Sequence, residues 1–148
     1  MMSVKWLLTS FCFFVFMVLL GGCTDKDVVK NGWKALSVSA TTYNTVMESS
    51  GKLYKAGKLS EEKKELMVNI GKIYTGAYKA SVDALESYDK ALVQDKSASE
   101  LEASKKAFKV STEFLRTKLF DLIDNYNTAT EGIEGITKIQ KPEALNVQ

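Results

Sequence analysis

Histidine is absent from this 148-residue chain, cysteine occurs twice and proline once. Without histidine the chain lacks the usual general base near neutral pH, the usual nitrogen ligand for zinc and one half of every Ser-His or Cys-His pair. Both cysteines, Cys12 and Cys23, fall near the start, so no disulfide can staple residues 24–148, which must hold together by packing. Pro142 leaves residues 24–141 without a proline to break a helix. An excess of one charge is also missing: 20 basic side chains stand against 18 acidic ones, interleaved along the chain. That balance makes no concentrated positive field, and nucleic acid is not an expected partner. Two carboxylate pairs with i,i+3 spacing, Asp121 with Asp124 and Glu131 with Glu134, are matched by no second pair that would complete a metal cage. Met47 and Met67 likewise have no histidine or thiolate to accompany them at a haem or copper. No cofactor, metal or catalytic residue is expected, and the chain reads as a non-enzyme.

What is present begins with a leader. Lys5 is the one charge before Asp25, and Trp6 to Leu20 is apolar except for Thr9 and Ser10. That run suits a signal-peptide core of ~7–15 residues better than a membrane span of ~20. It ends in Leu20-Gly21-Gly22-Cys23, which resembles the lipobox of bacterial lipoproteins: an aliphatic residue, two small ones, then cysteine. The resemblance implies cleavage between Gly22 and Cys23, a diacylglyceryl group on the Cys23 thiol and, in many bacteria, an acyl chain on the new amine. One acyl chain holds marginally, whereas two or more anchor stably at ~0.8 kcal/mol per buried methylene. Thr24 stands where enteric lipoproteins kept at the inner membrane carry aspartate. By that resemblance the protein is extracytoplasmic and membrane-anchored, at the outer membrane facing the periplasm if the cell is Gram-negative. The competing reading is an uncleaved signal anchor, since residues 6–24 carry no charge.

Beyond the leader the apolar period is helical. Val29, Trp33, Leu36, Ala40, Tyr43, Met47, Ser50 and Tyr54 form a first seam, broken at Gly57-Lys58-Leu59. Ser60 with Glu61 and Glu62 reads as an N-cap and acidic first turn. A second seam takes Leu66, Ile70, Ile73, Ala77, Ala84, Tyr88 and Ala91. Ser99 and Glu102 have capping-box spacing, and a third seam runs from Leu101 through Phe108, Leu115, Leu119, Leu122, Tyr126 and Ala129 to Ile133 and Ile136. Pro142 stops any helix near Lys141. Three helices of ~30 residues, each ~45 Å long, predict an all-α, antiparallel, up-down-up three-helix bundle. A break near Gly132 or Gly135 would give a fourth, short helix. The expected organisation is a signal peptide at 1–22, a lipidated tether at 23–28, the bundle at 29–141 and a tail at 142–148.

Three features invite a sharper reading. Gly71, Gly76, Ala77, Ala80 and Ala84 slim the second helix, either as a groove for a small ligand beside Gly71 and Gly76 or as close packing against Trp33, Phe108 and Phe114. Tyr74 and Tyr78, one turn apart, are the tyrosines best placed for a partner surface, with burial in the core or at its boundary the favoured alternative. Lys26, Lys30 and Lys34 share a helix face beside the lipid and suit either solvent or an anionic membrane, with Trp33 expected in the core. The resulting expectation is a lipid-anchored envelope protein, membrane-bound through Cys23, whose bundle binds an envelope protein or serves structurally. The alternative is a small-ligand-binding lipoprotein.

Overall fold

The computed structural model describes residues 24–145. The leader, Cys23 with the lipobox and the last three residues lie outside the described part. Three helices follow in order: α1 (Asp25–Lys55), α2 (Glu61–Val93) and α3 (Ala98–Ala129), with a 3-10 turn at Glu143–Leu145. They pack as an up-down-up bundle, with α1 parallel to α3 and α2 antiparallel to both. No strand forms among the described residues.

Side chains fix the helix ends. Thr24 and Asp27 make a reciprocal capping box at the start of α1, with Thr24 Oγ1 accepting from the Asp27 amide. The helix thus begins at Asp25, and residues 25–28 belong to it instead of to the expected tether. Ser60 caps α2, as its acidic neighbours indicated. For α3 the sequence offers two overlapping Ser-x-x-Glu frames, and the earlier one is used: Ser97 boxes with Glu100, displacing the expected Ser99–Glu102 cap. The earlier frame also brings Lys96 within 3.8 Å of Glu100.

α1 stops in a Schellman motif. Gly57, at φ +70°, lets its amide reach Tyr54 O and the Lys58 amide reach Leu53 O. α3 ends at Ala129, well before Pro142, in two successive turns whose amide bonds run from Ile133 to Thr130 and from Ile136 to Ile133. Each turn needs a left-handed residue, supplied by Gly132 and Gly135 at φ +79° and +80°. The expected break is therefore real, but the chain beyond it is irregular up to the 3-10 turn, and Ile133 and Ile136 leave the third seam.

This tail folds back on the bundle. Asn127 clamps it, donating from Nδ2 to Ile139 O and accepting from the Ile139 amide, each at 2.9 Å. Lys141 pairs with Asp124 at 2.7 Å, and Leu145 is buried against α1.

The core is a single stack. Leu36 and Val46 from α1, Met67, Leu85 and Tyr88 from α2, and Phe108, Leu115, Leu119, Leu122 and Ile123 from α3 are all sealed from solvent. Small residues share the inner faces with them: Gly32, Ala35 and Ser39 on α1, Gly71, Ala77 and Ser81 on α2. Buried hydroxyls are satisfied locally, as Ser81 Oγ donates to Ala77 O and Thr112 Oγ1 to Phe108 O. Among the described residues no buried side-chain nitrogen or oxygen lacks a partner.

Small residues inside displace large ones outward. On α1 the inward stripe is Val28/Val29, Gly32, Ala35/Leu36, Ser39, Val46, Ser50 and Leu53. Trp33 and Tyr54, expected in the core, are consequently exposed. On α2 the stripe is Met67, Gly71, Tyr74, Ala77, Ser81, Leu85 and Tyr88, one residue along from much of the expected seam, which leaves Leu66 and Ile73 exposed. α3 follows its expected seam as far as Ala129.

Two other helix glycines, Gly51 and Gly76, face open space, with no atom within 4 Å of an added Cβ. Alanine at either position should stabilise the bundle by about 0.5–1 kcal/mol through helix propensity alone. Urea midpoints of the two single variants and their pair should rise additively, because the sites share no partner.

Candidate functional site

One end of the bundle is tied by a residue from each helix. Asp25 Oδ1 accepts from Tyr88 Oη of α2 at 2.6 Å and from Lys105 Nζ of α3 at 2.9 Å. Tyr88, Lys105 and Thr24 lie together here because α2 ends and α3 begins at this end. The Tyr88 bond, then the Lys105 bond, hold the Asp25 carboxyl below its ordinary value of 3.8. Burial first, then the bond to Asp25, raises the Tyr88 phenol, so it stays protonated.

The sign of the pH effect is set by the depressed carboxyl. Its contribution is complete above the unfolded value, near pH 4, and is lost as pH falls through the lower folded value. Wild-type stability should therefore decline below about pH 4. Asp25→Asn should decline less steeply there while being less stable at pH 7. Urea titrations at a series of pH values read both effects; equal acid slopes in the two proteins would remove Asp25 from the account.

Tyr74, a candidate for the partner surface, is only 2 % exposed, and the alternative of core burial holds for it. Its Oη shares a 2.8 Å hydrogen bond with Ser39 Oγ, and its ring stacks on Tyr43 with centroids 4.3 Å apart. Burial pushes its phenol up to about 12. Tyr78 lies 6.1 Å from Tyr74 between ring centroids and is half-buried. The two tyrosines are thus brought together, but Tyr74 belongs to the core, and Tyr78 alone of the pair presents surface.

Gly71 and Gly76, read either as a groove or as close packing, part company. An added Cβ at Gly71 would lie 3.2 Å from Tyr43 Oη and 3.4 Å from Met47 Cε, so that side is filled by close packing. Gly76 faces outward. Close packing is also the role of Gly32, against Phe108 and Leu85, whereas Trp33 and Phe114, expected packing partners of the slim helix, are both exposed.

No family model, curated protein or solved structure matches this chain. The surface itself must supply the functional reading.

Three surface features stand out. The first is an open apolar furrow along α3, lined by Ala103, Lys106, Ala107, Val110, Ser111 and Phe114. Val110 is 59 % and Phe114 50 % exposed, and Lys118 Nζ sits 5.6 Å from the Phe114 ring centroid. Sequence reasoning missed this stripe, although its signal was there: residues 103, 107, 110 and 114 recur at helical spacing on a face turned away from Phe108, Leu115 and Leu122. The second is a cleft of about 420 Å³ where the returning tail crosses the bundle, lined by residues including Thr45, Ser49, Lys52, Tyr126, Ile136 and Ile139. The third is the outward face of the first turns of α1, carrying Lys26, Lys30, Trp33 and Lys34, all exposed.

Among the described residues no helix is long and apolar enough to cross a membrane, and no cluster of three or more carboxylates or thiols is placed to hold a metal. Of the i,i+3 carboxylates, Asp121 pairs with Lys118 and Asp124 with Lys141.

Proposed function

We propose that this chain is a lipid-anchored envelope protein whose bundle is a non-catalytic interaction module, docking a partner protein on the outer face of α3. The observation that carries the reading is the exposed stripe of Val110 and Phe114 beside Ala103 and Ala107. Apolar side chains lined up on one helix face leave a contiguous strip for another surface to cover, and a rigid aromatic rimmed by lysines is a common anchor at protein interfaces. The leader and the Leu20-Gly21-Gly22-Cys23 motif support anchoring through lipid on Cys23, with the bundle extracytoplasmic and, in a Gram-negative cell, facing the periplasm from the outer membrane. The absence of histidine supports a role outside catalysis. The small-ligand alternative has less support beside Gly71, where Tyr43 and Met47 fill the space.

A photoreactive residue placed at position 114 in living cells tests the docking face. It should give one discrete adduct in the envelope, whereas the same residue at position 52, on α1, should give none. Phe114→Glu, at a half-exposed position, should abolish an adduct formed from position 110 without lowering thermal stability. Adducts that are absent, or equally strong from position 52, count against the α3 face.

A further inference from the structure

Cys23 and the cap of α1 are neighbours in the chain, because Thr24 is already the N-cap. Lipid on Cys23 would join the bundle without a flexible linker. The angle of α1 at the membrane is then set by which side of its first turns meets the headgroups.

One side is suited to that contact. At about 100° per residue, Lys26, Lys30, Trp33 and Lys34 fall within roughly 100° of arc, opposite the buried Val28, Ala35 and Ser39. Trp33 is 40 % exposed. Of the nearby acids, Asp25 is taken up by Tyr88 and Lys105, while Asp27, bonded to Thr24, keeps its charge beside Lys30. Among the described residues Lys26, Lys30 and Lys34 make no salt bridge. The face therefore presents three ammonium groups around an indole against one exposed carboxylate, Asp27, which acts on Lys30, and it keeps a net positive charge.

We propose that α1 lies tilted on an anionic lipid surface, with Lys26, Lys30 and Lys34 against lipid phosphates and Trp33 at headgroup level. This rests on the proposed lipid anchor at Cys23. An upright α1 would hold Trp33 about 15 Å above residue 23, well beyond a headgroup layer ~5–8 Å thick on each side. Tilting brings all four side chains down together. Tryptophan is enriched at this depth, where its ring is partly desolvated and its N–H still finds a partner. Each lysine near an anionic surface favours the tilted arrangement about fivefold.

Trp33 is its own probe. On a Trp6→Phe background it is the one tryptophan in the chain, so fluorescence of the full-length expressed protein reports it alone. The processed lipoprotein is reconstituted in vesicles of phosphatidylcholine with and without phosphatidylglycerol, floated, and quenched with nitroxide-labelled lipids and with aqueous acrylamide. Tilting predicts strong lipid quenching and weak acrylamide quenching on the anionic vesicles. It also predicts several-fold weaker lipid quenching in the Lys26→Glu/Lys30→Glu/Lys34→Glu variant, which should float as well as wild type and keep its helical circular dichroism. Protein that floats while Trp33 stays fully open to acrylamide overturns the tilt and leaves the anchor standing. Equal lipid quenching on neutral and anionic vesicles overturns the attraction of the lysines to an anionic surface. Protein that fails to float removes the anchor, and the tilt with it.

Discussion

Phe108→Ala should lower the free energy of unfolding by about 3–5 kcal/mol, a large share of the ~5–15 kcal/mol available to a domain of ordinary stability. Phe108 is 1 % exposed, and its ring lies between α1 and α2: an added Cβ at Gly32 would come within 2.8 Å of Phe108 Cζ and 3.0 Å of Leu85 Cδ1. Truncation empties a space bordered by all three helices, and none can move in without parting from the other two. The same geometry sets the sign at Gly32. Alanine there gains ~1 kcal/mol of helix propensity, but overpacking costs about 1–3 kcal/mol. Because both facing side chains are sealed in the core, overpacking wins and Gly32→Ala should destabilise by about 1 kcal/mol. Combining Gly32→Ala with Phe108→Leu should cost less than the two single changes added together, since the shorter side chain vacates the space the new methyl needs. Strict additivity in urea denaturation would show that the two residues do not share that space.

Cys23→Ala should have the largest effect on the state of the protein in the cell. If the thiol is the acceptor of the diacylglyceryl group, the variant accumulates as a full-length precursor carrying residues 1–22 and takes up no fatty-acid label. Membrane fractionation alone is a poor readout, because the uncut apolar leader would itself hold the precursor at the membrane. Intact mass and labelling with an alkyne fatty acid separate the two cases. Gly22→Leu should act in the same direction by blocking cleavage, but it leaves the thiol free to be labelled. A Cys23→Ala protein that is still trimmed after Gly22 and still labelled would exclude the lipoprotein reading.

The number of helices, their order and the first hairpin were legible because they rest on signals of local origin: Ser60 before two glutamates, Gly57 at a helix end, and a period that never alternates. What eluded the sequence was rotation of α1 and α2 about their own axes. A hydrophobic count weights Trp33, Tyr54, Leu66 and Ile73 heavily and passes over Gly32, Ser39, Gly71 and Ser81. Helices this close select the small residues for the inside, since bulk there would force the axes apart. Serine is admitted because its hydroxyl bonds the preceding turn, or Tyr74 in the case of Ser39. α3 carries its large apolar residues inward and was read correctly as far as Ala129. The α3 stripe at Val110 and Phe114 was overlooked because one apolar seam had already been found on that helix.

The junction of Asp25, Tyr88 and Lys105 has a mechanical meaning. Tension applied through residue 24 enters α1 at its first turn and passes at once to α2 through a phenol and to α3 through an ammonium group. α1 is therefore not a loose end that can be peeled from its neighbours. A pull at that point is shared by all three helices from its start.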